Sequence, residues 1–242
     1  MVEVTVGSGT RGNALATHDW IALERAFHAL AEDDEVRAVL VRGAGETFSS
    51  GSDLHEWVAA APDDVETSFA RMEAALTAIE ECPIPVVAAV DGVAAGAGCQ
   101  LALACDLQIL ANHARIGMPI ARLGILVSPR FAARISVLAG PAVTRDLLYT
   151  GRLIDAAEAV RVGLATRCVP EADLDRAARQ CIAEIVRHPS AAHRATKRAV
   201  SAALAPIREA AKAADAGTAV EFEDFRAGVS AFLSNRNRAQ SS

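Results

Sequence analysis

Two short segments hold the residues best suited to chemistry: 48–54 (FSSGSDL) and 91–100 (DGVAAGAGCQ). Each follows an apolar stretch that reads as a strand and leads into one that reads as a helix. The first turn of a helix carries N–H groups without intrahelical partners and the positive end of the helix dipole. Two such groups converging on one point would stabilise a developing oxyanion. The glycines permit positive φ and close approach by a ligand, and they equally permit tight turns and close helix–sheet packing. A dinucleotide-binding fingerprint is absent. Gly96 and Gly98 lack the third glycine, and the first strand of the chain does not lead into them.

The elements that must position these loops alternate. Residues 19–32 predict an amphipathic helix with Trp20, Leu23, Phe27 and Leu30 on one face and Asp19 in its first turn. A strand is expected over 36–41, a helix from near Asp53, and a second helix over 63–81 ended by Pro83 and Pro85. The run 86–90 (VVAAV) predicts a buried strand, followed by a small-residue helix over 100–104 and a strand over 106–110. Such alternation implies an α/β core with largely parallel pairing. Beyond residue 130 only 166–169 reads as a strand. Helices are expected near 130–139, 142–149, 155–162, 171–187, 190–213 and 219–234.

Bulk properties narrow the function classes. The chain has 242 residues, enough for one large domain or a core with an appendage. It is 52% hydrophobic with a mean hydropathy of +0.23, so its length and composition suit a sizeable core, built mainly from Ala, Val, Leu and Ile. Net charge is −6, and no basic run suggests a nucleic-acid partner. Five cysteines without C-x-x-C spacing argue against a disulfide framework or a zinc site and for a reducing cytoplasm. The six histidines lack metal-ligand spacing, so no metal is expected. The N-terminal residues show no signal-peptide pattern, and no apolar run is long enough to span a bilayer, so no membrane partner is expected.

The segments FSSGSDL, PVVAAVDGVAAGAGCQLALACDLQI, ARIGMPIARLGI and LLYTGRLIDAAEAVRVGLATRCVP, in that order, resemble the crotonase (enoyl-CoA hydratase/isomerase) superfamily. The likeness runs in register from about Asn13 to Pro170 and more loosely to FLSNR near the C-terminus. It implies an α/β fold with a ββα-repeat core over 1–190 and a helical trimerisation or lid region over 191–242. It further implies a homotrimer or hexamer and lyase or isomerase chemistry on an acyl-CoA thioester. Coenzyme A would enter as part of the substrate, with no separate cofactor. Two main-chain N–H groups would hold the enolate oxygen, and by carry-over these belong to Ser52 and Ala97. The second place is usually glycine in the family; alanine keeps the donor and narrows the approach. The implied substrate and coenzyme contacts are Arg11, Ala14, Ser50, Gly51, Asp53, Leu54, Gly96 and Ile120. The family's N-terminal hairpin is represented only by residues 2–6.

The family's acids and bases are missing. A hydratase of this kind flanks one water with two glutamates, and the matching positions here are Gln100 and Ile120; the single-base position of some isomerases is Ser128. An amide takes no proton at neutral pH, and an isoleucine can neither give nor take one. Gln100 either orients a water or packs within its helix. Ser52 and Asp53 read as ligand contacts or as helix caps, and His55 as an acid–base group or a surface histidine. Asp106 reads as structural, while Arg130 and Arg134 read as meeting a phosphate or a neighbouring subunit. Three outcomes follow: enolate chemistry without the glutamate pair, such as decarboxylation or thioester hydrolysis; carbon–carbon cleavage; or acyl-CoA binding without turnover.

Overall fold

A computed structural model describes residues 1–215 and 218–240, without the side chains of 235–240. Residues 241–242, the end of the expected C-terminal region, lie outside the described residues.

The core is a five-stranded parallel sheet in the order β1 (Val2–Val6), β2 (Val39–Gly43), β3 (Val86–Val90), β5 (Leu107–Ala111) and β8 (Arg167–Val169). Its central strand β3 is buried at every position, which is why VVAAV shows no polar alternation. A second, three-stranded sheet joins β4 (Val93–Ala95), β6 (Arg115–Gly117) and β7 (Leu153–Asp155). There β4 and β6 run parallel, and β6 and β7 antiparallel.

The first long helix, α1 (Thr17–Glu32), buries Trp20, Leu23 and Phe27 against α3 (Pro62–Glu81). Between them lies α2 (Leu54–Trp57), one turn capped by Asp53. The loop helix α4 (Ala97–Ala104) starts three residues before the expected span, and its small residues bury nearly all of its surface. The helix α5 (Pro129–Thr150) breaks at Gly140, whose φ of 78° and ψ of 165° precede Pro141; this accounts for the two helices expected there. After α6 (Ala156–Arg161), α7 (Leu174–Val186) lays Leu174, Ala178, Cys181 and Ile182 on the sheet. The chain closes with α8 (Ser190–Ala214), which packs on α5, and α9 (Phe222–Gln240).

Three expectations are corrected. β2 begins at Val39, because 36–38, with Val36 and Ala38 buried and Arg37 exposed, leads out of a turn closed by Val36 N–H donating to Asp33 O. The strands β4 and β6 were not anticipated, and β7 is a strand beyond residue 130 that the helical reading left out. All three are only three residues long, too short for alternation to show.

Asp106 ties α8 to this core. Its Oδ2 accepts from Val86 N (2.8 Å) and from Lys197 Nζ (2.7 Å), and Nζ also donates to Ile84 O. Burial raises the Asp106 pKa, and the Lys197 ammonium opposes that rise. A carboxyl with a raised folded pKa stabilises most below its unfolded pKa and loses that contribution as pH climbs through the folded one. Lys197→Met removes the opposing charge and raises the carboxyl further. The expected loss is about 1–3 kcal/mol at neutral pH, shrinking at acidic pH, measured by urea unfolding at both.

Candidate active site

The loop 48–54 is built on Asn13. This buried residue has φ of 54°, and its Nδ2 donates to Ala44 O (2.8 Å) and Thr47 O (2.6 Å) while its Oδ1 accepts from Gly9 N–H. Ser49, also buried, donates through Oγ to Asn13 O (2.8 Å) and accepts there from Gly51 N–H. The Ser50 N–H donates to Gly12 O, Leu15 N–H to Gly51 O, and Asp53 N–H to Leu15 O. Leu15 and Ser52 thus form a parallel bridge, which directs the Ser52 N–H away from Leu15.

The loop 91–100 docks on the same serine. Ser49 N–H donates to Val93 O, and Ala95 N–H donates to Ser49 O. Gly96, at φ 56° and ψ −123°, turns the chain into α4, whose first residue is Ala97. Gly51 sits at φ 102°, and a methyl group there would lie 3.0 Å from Ala97 N and 2.9 Å from Ala95 O. A methyl on Gly98 would overlap Ser49 O. The two loops therefore touch backbone to backbone. Neither the Ser52 nor the Ala97 N–H donates to a main-chain carbonyl among the described residues. Ser52 and Ala97 are half-buried between the buried Gly51 and Gly98. Ser52 Oγ is directed instead at Met72 Sδ, 3.7 Å away.

The vacated glutamate positions are filled. Gln100 is fully buried, and its Oε1 accepts from Arg134 Nη1 at 2.7 Å. Its Nε2 has only long contacts, 3.5 Å each, to Met118 Sδ and Phe131 O. Arg134 donates through Nε and Nη2 to both oxygens of Glu80 (2.9 and 3.1 Å) and through Nη2 to Glu73 Oε1 (3.1 Å). Burial alone would lower the Arg134 pKa, and the two carboxylates more than reverse that, so the guanidinium stays charged. Ile120 is buried in a 3-10 turn, Pro119–Leu123. Of the two arginines read as phosphate or subunit contacts, Arg134 points inward to this network. Arg130 stands 3.5 Å from Glu73 and 3.9 Å from Asp215.

On the opposite side, Arg11 (φ 49°) pairs with Asp53 at 2.6 Å. Asp53 caps α2 by accepting from His55 N–H, and Ser128 caps α5 by accepting from Phe131 N–H. His55 and Glu56 are exposed, Glu56 accepting from Thr17 N–H and Oγ1. Ala14, Ser50 and Leu54 are half-buried beside them. α9 covers the far side: Phe225 and Phe69 flank Trp57, with ring centroids 5.5 and 5.1 Å away. Gly124 and Gly228 allow that approach, since methyl groups there would meet Asp224 and Leu123. A cleft of about 470 Å³ opens between α1, α3, the start of α5 and the residues Asp215, Thr218 and Ala219. Glu73, Ser128, Arg130 and Phe131 line it, whereas Ser52 and Ala97 do not.

Sequence reasoning passed over Asn13 as more than a motif boundary and Ser49, Trp57 and Glu73 as site residues, and it read Arg134 as a phosphate or subunit contact rather than as the partner of Gln100. Only Asn13 gave a signal, a small amide side chain after glycine where a positive φ is tolerated.

Comparison with known proteins fits this frame. The Enoyl-CoA hydratase/isomerase family profile matches residues 1–240. A probable enoyl-CoA hydratase of Rhodobacter capsulatus is 37% identical over 93% of this chain and 86% of its own length. A probable mitochondrial enoyl-CoA hydratase 2 of Arabidopsis thaliana is 35% identical over 70% of this chain and 56% of its own length. The crystal structure of an enoyl-CoA hydratase from Mycobacterium avium subsp. paratuberculosis superposes with a TM-score of 0.85 at 27% identity, covering 97% of this chain and 92% of that one. The chain belongs to the enoyl-CoA hydratase/isomerase family and has the crotonase fold.

Two substitutions test the local architecture. Gly51→Ala forces a side chain into left-handed backbone and against Ala97 N, at an expected cost of about 1–3 kcal/mol, read as a lower denaturant midpoint. Arg134→Met removes the hydrogen-bonding cation of Glu73 and Glu80 and leaves them only the 3.5 Å ion pairs with Arg130 and Arg208; the expected loss by the same measurement is about 3 kcal/mol.

Proposed function

We propose that this protein binds an acyl-coenzyme A thioester and stabilises its enolate oxygen with the main-chain N–H groups of Ser52 and Ala97. The observation that carries this reading is the contact at Gly51, which leaves two undonated N–H groups beside each other on half-buried residues. The family membership and the names of its relatives support the ligand class. Arg11, held by Asp53, with Ala14, Ser50 and Leu54, is assigned to the coenzyme arm.

Ordinary hydration does not fit. Ile120 has no proton to exchange, and the Gln100 carbonyl oxygen is committed to Arg134. Losing a positioned base removes roughly 10²–10⁴ in rate. Decarboxylation fits better: the C–C bond breaks, CO₂ leaves, the bonding pair becomes the enolate C=C bond while the carbonyl pair moves onto the thioester oxygen without a base, and water then protonates the carbon. A second reading, acyl-CoA binding without turnover, is favoured by the complete burial of Gln100.

Self-association is part of the proposal. α8 buries only Ala211 among its 25 residues and leaves Val200 and Ile207 exposed, which supports a trimer or hexamer built on that helix. Five free cysteines support a reducing, cytoplasmic setting. Among the described residues no helix is long and apolar enough to cross a membrane, and no cluster of His, Cys, Asp or Glu suits a metal.

The test is a panel of saturated, unsaturated and carboxylated acyl-CoA thioesters followed by mass spectrometry. The expected result is turnover of a carboxylated thioester, with crotonyl-CoA hydration at least roughly 10²-fold below that of a glutamate-bearing relative. Binding across the panel with no product would establish the second reading. Absence of binding would sink both.

A further inference from the structure

The two ends of the main sheet are finished differently. Among the described residues, β8 closes one end with three residues that include Arg167 and run into Pro170. Short length, charge and proline are the usual means of keeping a further strand off an edge. β1 closes the other end with five residues, VEVTV, without proline, lysine or a bulge in its register with β2. Its one charge is neutralised within the molecule. The Glu3 carboxylate meets Arg179 Nη2 at 3.0 Å and Arg42 Nη1 at 3.6 Å.

The register also fixes which backbone groups of β1 face outward. Val2 N–H donates to Ala38 O and Ala44 N–H to Val6 O, so Val2, Val4 and Val6 direct their amides and carbonyls at β2. The N–H and C=O groups of Glu3 and Thr5 therefore point away from the sheet, where no strand lies among the described residues. Both residues are exposed, while the side chains of Val2 and Val4 are half-buried on the opposite face.

This strand is complementary to itself. Laid antiparallel about Val4, it sets Glu3 opposite Thr5 of a second copy, and Thr5 opposite Glu3 of that copy. Each such pair exchanges both of its outward N–H···O bonds. The valines fall side by side, Val4 against Val4 and Val2 against Val6, which covers the half-buried face. Glu3 meets a threonine rather than another glutamate, so like charges are not set opposite each other.

We infer that the outer edge of β1 is a docking surface for the same strand of a second copy, with a twofold axis at Val4. The two main sheets then continue into one. Such a contact uses one patch on both partners and closes on itself. It involves no residue of α8 and is independent of self-association through that helix.

Oxidative trapping in the full-length chain tests this, with the exposed thiol removed by Cys168→Ser. Val4 would form a pair without hydrogen bonds, where the two Cα atoms lie about 4.5 Å apart, within disulfide reach. Val4→Cys is expected to give a disulfide-linked dimer on a non-reducing gel. Thr5→Cys is expected to give none, because the two Thr5 positions are offset along the strands beyond the disulfide limit of about 7 Å. Thr5→Pro, added to Val4→Cys, removes one outward N–H from each pair and none that bonds β2. It is expected to slow trapping about tenfold or more. A second measurement needs no substitution: hydrogen exchange at the Glu3 and Thr5 amides of the wild type is expected to slow as protein concentration rises. No trapping of Val4→Cys, equal trapping of Val4→Cys and Thr5→Cys, trapping undiminished by Thr5→Pro, or exchange independent of concentration would each overturn the proposal.

Discussion

Everything in this site depends on the contact between two backbones at Gly51 and Ala97. With φ at 102° and no side chain, Gly51 lets the first loop approach Ala97 N to a distance that a methyl group would make repulsive. Asn13 and Ser49 lock that approach from behind by consuming the carbonyls and amides that the turns would otherwise leave open. Among the described residues, the N–H groups that donate to no main-chain carbonyl include one on each side of this contact, those of Ser52 and Ala97. Such donors are preorganised, because the sheet registers β2–β3 and β4–β6 fix both strand ends before any ligand arrives.

The second organising feature is a charge cluster standing where acid–base groups would be expected. Arg134 ties α5 to α3 through Glu73 and Glu80 and to α4 through Gln100. A neutral amide at position 100 gives the guanidinium an acceptor without adding a third buried carboxylate. A glutamate there would crowd three negative charges around one arginine, and like charges at such range disfavour ionisation. The amide at position 100 and the arginine network are therefore mutually consistent, and both point away from activating a water there.

Much of the fold was legible in the sequence because long helices and a buried strand leave periodic traces. Trp20, Leu23 and Phe27 mark one face of α1, and VVAAV marks β3 by its uninterrupted apolarity. The three-residue strands β4, β6 and β7 leave none, and the alanines and glycines at the start of α4 show no period. The two loops could be read from their glycines and their likeness to a known family. The network around Gln100 could not. The Arg134 partners lie 34, 54 and 61 residues away along the chain, so a residue that looks like a surface arginine becomes the centre of a buried cluster only after folding. Glu73 is similar, since nothing in its helical surroundings separates it from Glu66 or Glu81.

The central claim is that Ser52 and Ala97 present their N–H groups to one thioester oxygen. A crystal structure with a non-reactive acyl-CoA analogue tests it directly. The account predicts the analogue's carbonyl oxygen at hydrogen-bond distance, about 2.7–3.1 Å, from both amide nitrogens. A carbonyl oxygen bound elsewhere, or held by one of the two nitrogens alone, would contradict it.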